Sequence, residues 1–477
     1  MLKQIYELAS GFIATIIGGA ALLFSLPILF MNVNVFFDPA WVAIVICGYP
    51  FLYLAYSRLR YNKGITKISS AMLILIAMIA AIIIGELFAA GLVAFIMAIG
   101  GILEVKTVAR AKKGVKALIS LEPDEARLLL RDGEKVVPLA QVQNDDTLKI
   151  LPGEFIPVDG VISYGSTTID QTIITGSEGQ PVDKKEGDVV YCGTVNCSNI
   201  IAIKATNVGS DSSLRKLIRL VNKAVEKKAT TQLLVDKWAA WLVPIALLVA
   251  VITYFATGEL IRAVTVAIVF CPCALALATP TAFVAAIGQA TRYGIIIKSG
   301  AVLERINKVD TVILNTSSDV SDDTVNNMVE TLKKDYVATA FYTQDVKQIE
   351  SLQNEGRFVC MIGDGISDAE AIKKANVGIT VGSMGSDSAI EVADIAIMSD
   401  DNTKFPYLKR LSNTTARLVI VNIFISSIIS TIAIVLSVLG ILNPISGVLV
   451  HNVGSVLVVL NAALLYDRKL AKVTKLK

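Results

Sequence analysis

The stretch Ala267 to Gly288, AIVFCPCALALATPTAFVAAIG, sets two thiols either side of a proline, at Cys271, Pro272 and Cys273, in an otherwise apolar run. Proline has no backbone N–H and clashes with the carbonyl four residues back, so a helix opens there and leaves carbonyl oxygens without partners. Two thiolates beside freed carbonyls make a soft-metal site. The plain alternative is a pair of buried apolar cysteines next to a kink.

The chain has 477 residues, 54% hydrophobic and 18% charged, with a mean hydropathy of +0.62. That is too apolar for a water-soluble protein and too charged for one that is all membrane, so an integral membrane protein with cytoplasmic lobes is expected. The six cysteines form no disulfide framework. Cys192, Cys197 and Cys360, in the expected lobes, point to a reducing compartment. A net charge of +3 says little about partners, and nothing indicates nucleic acid.

Apolar runs of about 17 to 25 residues each suit one membrane crossing. Eight spans follow: Phe12 to Met31, Ala40 to Ala55, Ser69 to Ile84, Leu87 to Val105, Trp238 to Ala256, Ile261 to Gly288, Leu418 to Leu439 and Ile445 to Leu465. Phe12 to Met31 has no small-residue cleavage site and reads as a first span, not a signal peptide. Basic residues gather at Arg58, Arg60, Lys63 and Lys67, at Lys106, Arg110, Lys112 and Lys113, and in the tail Arg468 to Lys477; the alternate short turns carry none. By the positive-inside rule both termini and both large loops are cytoplasmic, in a plasma or inner membrane. Gly48-Tyr49-Pro50 is expected to kink the second span.

In the first large loop, Ser120 to Lys228, short β-rich runs at Lys135 to Leu139, Gly160 to Ser163 and Val189 to Cys192 are separated by Pro152-Gly153, Asp159-Gly160 and Glu186-Gly187. These features predict a compact all-β unit. In the second, the β runs Val309 to Leu314 and Phe358 to Ile362 flank a helix and a strand, enough for a small Rossmann-like sheet.

CPCALALATPTA, VDTVIL at Val309 to Leu314 and GDGISDAEAI at Gly363 to Ile372 together resemble the heavy-metal-transporting P-type ATPases, pumps that work through an aspartyl-phosphate. The resemblance runs over nearly the whole chain and implies an actuator domain, a haloacid-dehalogenase-like phosphorylation domain and a bent entry helix at Gly48 to Pro50. It fails at the chemical positions. The family's Thr-Gly-Glu-Ser loop corresponds to Thr175-Gly176-Ser177, with Glu178 one place late; Glu178 is either a displaced catalytic acid or a solvated loop residue. The family's phosphoryl-accepting aspartate corresponds to Asn315, and a neutral amide is too weak a nucleophile to form an acyl phosphate. Thr316 replaces the lysine that follows. Asp345 falls where the family has a phosphate-binding lysine, with Lys347 nearby.

Asp364 and Asp368 keep the spacing of the family's magnesium-binding motif, and two such acids can share a hard cation. Asn315 and Asp364 are only 49 positions apart, an interval in which the family inserts a nucleotide-binding domain of about a hundred residues, the size of an ordinary domain. No P-loop is present to replace it. The only histidine, His451, lies in the last span as part of HNVGS; it is either a third metal ligand or a helix-end residue near the interface. Span seven lacks the Tyr-Asn pair and span eight the Met-Ser pattern of copper pumps, and no intramembrane lysine or aspartate marks a zinc pump. Thiolate softness alone favours Cu(I) over Zn(II).

The expected fold is membrane α-helical, with eight transmembrane helices, a cytoplasmic all-β actuator-like domain and a reduced α/β haloacid-dehalogenase-like domain. Its boundaries are 1–119 (spans one to four), 120–228 (actuator-like), 229–296 (spans five and six), 297–412 (reduced phosphorylation-like) and 413–477 (spans seven and eight with a basic tail). The expected function is a soft-metal-binding pseudo-pump at Cys271, Cys273 and His451, with Mg2+ at Asp364 and Asp368 if anywhere, and no ATP. It would act as sensor, reservoir or partner subunit of an active P-type ATPase or another protein. The alternatives are a transporter that borrows nucleotide chemistry from a partner, and a metal-free membrane scaffold.

Overall fold

The computed structural model describes residues 2–31, 37–61, 70–85, 87–111, 123–130, 133–171, 181–226, 229–270, 273–314, 337–340, 346–363, 368–381, 392–398 and 404–468. They fall into two compact units: 1–110, 231–282 and 417–464 make the first, and 111–230, 283–416 and 465–477 the second. In chain order come helices α1 (Leu2–Ala9), α2 (Phe12–Met31), α3 (Ala40–Tyr61), α4 (Ser70–Ile84) and α5 (Leu87–Ala111). Strands follow as β1 (Glu125–Leu130), β2 (Gly133–Pro138), β3 (Thr147–Ile150), β4 (Asp159–Tyr164), β5 (Thr167–Asp170), β6 (Val182–Lys184), β7 (Val189–Val190), β8 (Val195–Asn196) and β9 (Ile201–Asn207). Helices α6 (Ser213–Glu226), α7 (Thr230–Thr257), α8 (Leu260–Val269) and α9 (Cys273–Arg292) lead to β10 (Ile295–Ile297), α10 (Gly300–Lys308), β11 (Thr311–Leu314) and β12 (Val337–Ala340). The last elements are α11 (Val346–Asn354), β13 (Val359–Gly363), α12 (Ala369–Lys374), β14 (Val377–Val381), β15 (Ile395–Ile397), α13 (Lys404–Val438) and α14 (Pro444–Ala463).

Among the described residues, four helices are long and apolar enough to cross a membrane by length and composition: Ala40–Tyr61, Thr230–Thr257, Lys404–Val438 and Pro444–Asp467. Shorter apolar helices accompany them at Phe12–Ile28, Ile74–Ile84, Leu87–Leu103 and Leu260–Val269. Ile44, Cys47, Ile74, Met78, Val93, Val264, Ile268 and Val448 form one buried cluster, while Ile13, Phe24, Ile83, Leu248, Phe255 and Ile420 point outward. Apolar residues on both faces suit hydrocarbon and not water.

Helix starts are specified locally. Asp38 accepts the Ala40 N–H (2.8 Å) and the Ser25 hydroxyl (2.6 Å) at the head of α3. Asn443 and Ser446 form a capping box at the head of α14, with Pro444 in its first turn.

Three membrane readings are refined. The sixth span, read as one run from Ile261 to Gly288, is two helices: α8 ends at Val269 and α9 begins at Cys273. Helix α3 instead continues through Pro50. Gly48 serves there as a contact point, since a Cβ on it would stand 2.6 Å from Met78 Cε. Helix α13 starts well before Leu418 and has 35 residues, roughly 50 Å at 1.5 Å per residue and so longer than a bilayer core. Its first turns carry Lys404, Lys409 and Arg410 and belong to the second unit. Lys409 Nζ donates to the carbonyls of Ile306, Asn307 and Val309 at 2.8 to 3.0 Å, closing the C-terminus of α10.

The second unit holds the β structure. A six-stranded sheet in the order β2-β1-β3-β9-β4-β7 and a three-stranded sheet β6-β5-β8 enclose Leu148, Ile156, Ile162, Ile169, Ile201 and Ile203, all fully buried. The turns at Pro152-Gly153 and Glu186-Gly187 form as expected, with Gly153 at φ +83° and Gly187 at φ +90°.

Asp159-Gly160 is not a turn. Both residues lie in β4, where the register with β9 shifts between them. A Cβ on Gly160 would sit 2.6 Å from the Lys204 carbonyl, so close backbone approach explains that glycine. Asp159 is buried and accepts the backbone N–H of Cys192 (2.9 Å) and of Ser213 (2.7 Å), the latter at the positive end of α6. Burial, and then this carboxylate, push the Tyr191 phenol upward.

The segment 120–228 is also not all β. Leu214, Leu217, Ile218, Val221 and Ala224 recur at helical spacing and form the buried face of α6.

A second six-stranded sheet has the order β10-β15-β14-β13-β11-β12. The pairs from β12 to β15 are parallel and β10 joins antiparallel at the edge. Strands β11 and β13 are buried at every position, as unbroken apolar runs require when helices cover both faces. Arg305 of α10 ties this sheet by donating to the Asn376 carbonyl (2.6 Å) and to Asp394 (2.9 Å).

Two consequences can be measured. Asp159→Asn leaves one of two buried backbone donors without a good acceptor, which costs about 1–3 kcal/mol and should lower the melting temperature of the detergent-solubilised protein by a few degrees. A Cβ on Gly447 of α14 would stand 2.9 Å from Val269 Cγ2 and 3.0 Å from Thr265 Cγ2 of α8. Gly447→Leu should therefore destabilise by about 1–3 kcal/mol of overpacking, whereas Val453→Leu, on the outward face, should melt like the parent.

Candidate metal centre and phosphorylation-like edge

Pro272 cannot donate to the carbonyl of Ile268, which weakens the helix begun at Leu260 at that point. The helix ends at Val269, although α3 and α9 run through Pro50 and Pro280. Cys271 lies outside the described residues, as does the side chain of Cys273, which opens α9. What the structure places is their surroundings.

His451 of α14 is 6% exposed and lines a small cavity together with Val269, the last residue of α8. A neutral imidazole keeps a lone pair on one ring nitrogen, the form in which histidine binds metals. Nε2 is 3.5 Å from Ser455 Oγ, one turn along the same helix. A small cavity beside the ring, about 10 Å³, is lined by Val269, Ser426, Ser430, Ala433, Gly454 and Ser455, among others. That is about the space for one water or one ion.

The helix-end reading of His451 is therefore not what is seen. It is buried within the first unit, beside the helix break. Among the described residues no group of three His, Cys, Asp or Glu could hold a metal ion.

The sequence reading passed over the facing residues of α13. Asn422, Ser426 and Ser430 recur every four positions, which puts them on one helical face. Ser426 and Ser430 line the cavity, and Asn422 accepts from Asn461 of α14 at 2.7 Å. Polar residues at that spacing inside an apolar span were the available signal, because they are costly in lipid unless turned inward.

In the second unit, Asn315, Glu178 and Asp364 lie outside the described residues, as do Thr175 to Gln180, Thr316, Asp345 and the helix expected at 324–334. The strands that lead to two of them are placed. β11 and β13 run parallel side by side with Leu314 opposite Ile362, so the carboxyl ends of the two strands share one edge of the sheet. The carboxyl ends of parallel strands are where α/β sheets hold ligands.

Asp368 opens α12, is fully buried, and makes no cap to that helix with its side chain. Its carboxylate folds back on β13: a Cβ on Gly363 would stand 2.5 Å from Asp368 Oδ2. Plain helix capping is therefore not its role. Lys347 belongs to α11, with its own partner. Cys360 is buried in β13, and burial holds its thiol protonated, far above its usual range. Cys192 is likewise buried, donating to the Pro157 carbonyl (3.2 Å), so neither resembles an available metal ligand.

Comparison with known proteins agrees with this layout. A family model described as the P-type ATPase actuator domain matches residues 120–222. The chain is 40% identical over 227 residues to a copper-exporting P-type ATPase of Staphylococcus haemolyticus, covering 45% of this chain and 28% of that one. It is 34% identical over 245 residues to a silver exporting P-type ATPase of Salmonella typhimurium, covering 49% and 30%.

A longer match is to a copper-exporting P-type ATPase of Staphylococcus epidermidis, 26% identical over 528 residues, covering 78% of this chain and 66% of the relative. That alignment is longer than the whole of this chain, so the relative carries sequence opposite which this chain has none. The crystal structure of a zinc-transporting PIB-type ATPase in an E2.Pi state superposes with a TM-score of 0.52 at 19% identity, covering 97% of this chain and 99% of that one. By the actuator match, these relatives and the shared fold, the chain is similar to heavy-metal P-type ATPases, and it spans between 28% and 66% of the length of the copper- and silver-exporting relatives.

Proposed function

We propose that this chain is a pseudo-pump: an eight-span membrane protein, both termini cytoplasmic, that holds a soft transition metal at Cys271, Cys273 and His451 and forms no aspartyl-phosphate of its own. Its domains follow the boundaries 1–119, 120–228, 229–296, 297–412 and 413–477, the fourth a reduced haloacid-dehalogenase-like domain. Residence in a plasma or inner membrane and a role as sensor, reservoir or partner subunit of an active pump follow from a metal site uncoupled from ATP.

The observation that carries the reading is a contrast between the two units. The helix break at Val269, with His451 lining the cavity beside it, is kept in one, while in the other the residue directly after β11 is a neutral amide, Asn315. Two thiolates and an imidazole are a soft donor set, which favours Cu(I) and admits Zn(II). The exported ions of the relatives, copper and silver, are of the same soft class.

One observation supports a second reading, in which a partner supplies nucleotide and acceptor and the chain still transports. Asp368 is buried against β13 without capping α12, a placement that suits a Mg2+-holding edge shared with Asp364.

Metal analysis of anaerobically purified protein separates metal binding from a metal-free scaffold. The parent should retain about one equivalent of copper, Cys271→Ser/Cys273→Ser none, and His451→Ala an intermediate amount. Equal metal in the parent and the double variant would remove the membrane site.

A further inference from the structure

Within the first unit, α2 and α5 meet through Leu22, Phe88, Leu92 and Phe95, and beside that contact they line a groove of about 500 Å³. Its residues Phe12, Ile16 and Leu23 are exposed, so the groove opens on the outside of the helices. Phe95 forms part of the floor where glycine leaves it room, since a Cβ on Gly19 would stand 2.7 Å from Phe95 Cε2. The one polar side chain in the lining is Thr15, and its hydroxyl donates to the Gly11 carbonyl (3.2 Å) in its own helix. The groove therefore asks for hydrocarbon along its length.

One end carries a charge. Lys106 of α5 holds its ammonium 5.3 Å from the centre of the Phe12 ring, a cation over an aromatic face. Phe12 opens the apolar run of α2, and Lys106 follows the apolar part of α5, which ends at Leu103. Both helices thus set the boundary between hydrocarbon and headgroups at this end of the groove. We propose that the groove between α2 and α5 binds one anionic phospholipid, with an acyl chain along the groove and the phosphate at Lys106.

Dimensions decide between a lipid and another helix. From Phe12 to Leu26 the groove follows α2 for roughly 21 Å at 1.5 Å per residue, more than half of a bilayer core. Spread over that length, its volume gives a channel on the order of 25 Å² in section, about half as wide as a helix with its side chains. A polymethylene chain, with carbon contacts at about 3.5–4.0 Å on each side, fits such a channel. A helix does not. The site does not involve the metal, and it rests only on the reading of α2 and α5 as membrane spans.

Native mass spectrometry of the full chain, delipidated in detergent and titrated with phosphatidylglycerol or phosphatidylcholine, tests this. The parent should hold one phosphatidylglycerol about fivefold more tightly than phosphatidylcholine, the scale of headgroup attraction to a single basic residue. Lys106→Gln should remove the preference and Lys106→Arg restore it. Ala20→Trp fills the groove from an exposed position; it should lose both lipids while keeping the parent's melting temperature in detergent. Equal affinity of the parent for the two lipids, or full retention by Ala20→Trp, would overturn the proposal. So would a dimer or a co-purified membrane span that Ala20→Trp loses, which would assign the groove to another helix. Release of the chain from membranes by alkaline carbonate would overturn it at a different point, by contradicting the membrane reading on which it rests.

Discussion

A proline cannot donate to the carbonyl four residues before it, and in a membrane no water is at hand to take its place. Much of the first unit is arranged around that fact. Helix α8 stops at Val269 and α9 starts at Cys273. Gly447 allows α14 to approach α8 closely, and His451, one turn further along α14, lines a small cavity with Val269. Ser455, Ser426 and Ser430 complete a small polar lining where an unbroken apolar helix would have needed none. A kink alone could have been relieved by Ser and Thr side chains bonding back within their own helix, as Thr265 and Thr281 do to Ile261 and Leu277. A buried histidine beside the break exceeds that need.

The second unit holds the parallel sheet. Its parallel sheet is complete and its central strands are fully buried, so the fold does not depend on an inserted domain between β11 and β13. The strand ends where phosphoryl chemistry would take place still lie side by side. In the sequence, the neutral amide Asn315 directly follows β11. Asp368 is built into the fold against Gly363.

Four membrane-length helices and the parallel strands were legible because their signals are long or unmixed: twenty apolar residues, or four consecutive buried ones in TVIL at β11. The break at Pro272 was legible because proline acts on backbone chemistry directly. Asp159-Gly160 misled because it carries the composition of a turn while doing two tertiary jobs, bonding to Cys192 and Ser213 and letting the Lys204 backbone come close. Those partners lie 33 and 54 positions away, beyond any local pattern. Helix α6 was hidden by a different cause: its apolar spacing is regular, but the strong β signals before it set the expectation for the whole segment. The polar face of α13 went unread because three polar residues among many apolar ones acquire meaning only once His451 is seen opposite them.

The central claim is that a metal site in the membrane survives in a chain that cannot phosphorylate itself. Incubating the purified chain with radiolabelled ATP, Mg2+ and copper, then quenching in acid, measures this directly. The account predicts no acid-stable phosphoprotein above the level of a boiled control. Label incorporated into the isolated chain, lost on alkaline treatment as an acyl phosphate would be, would contradict it.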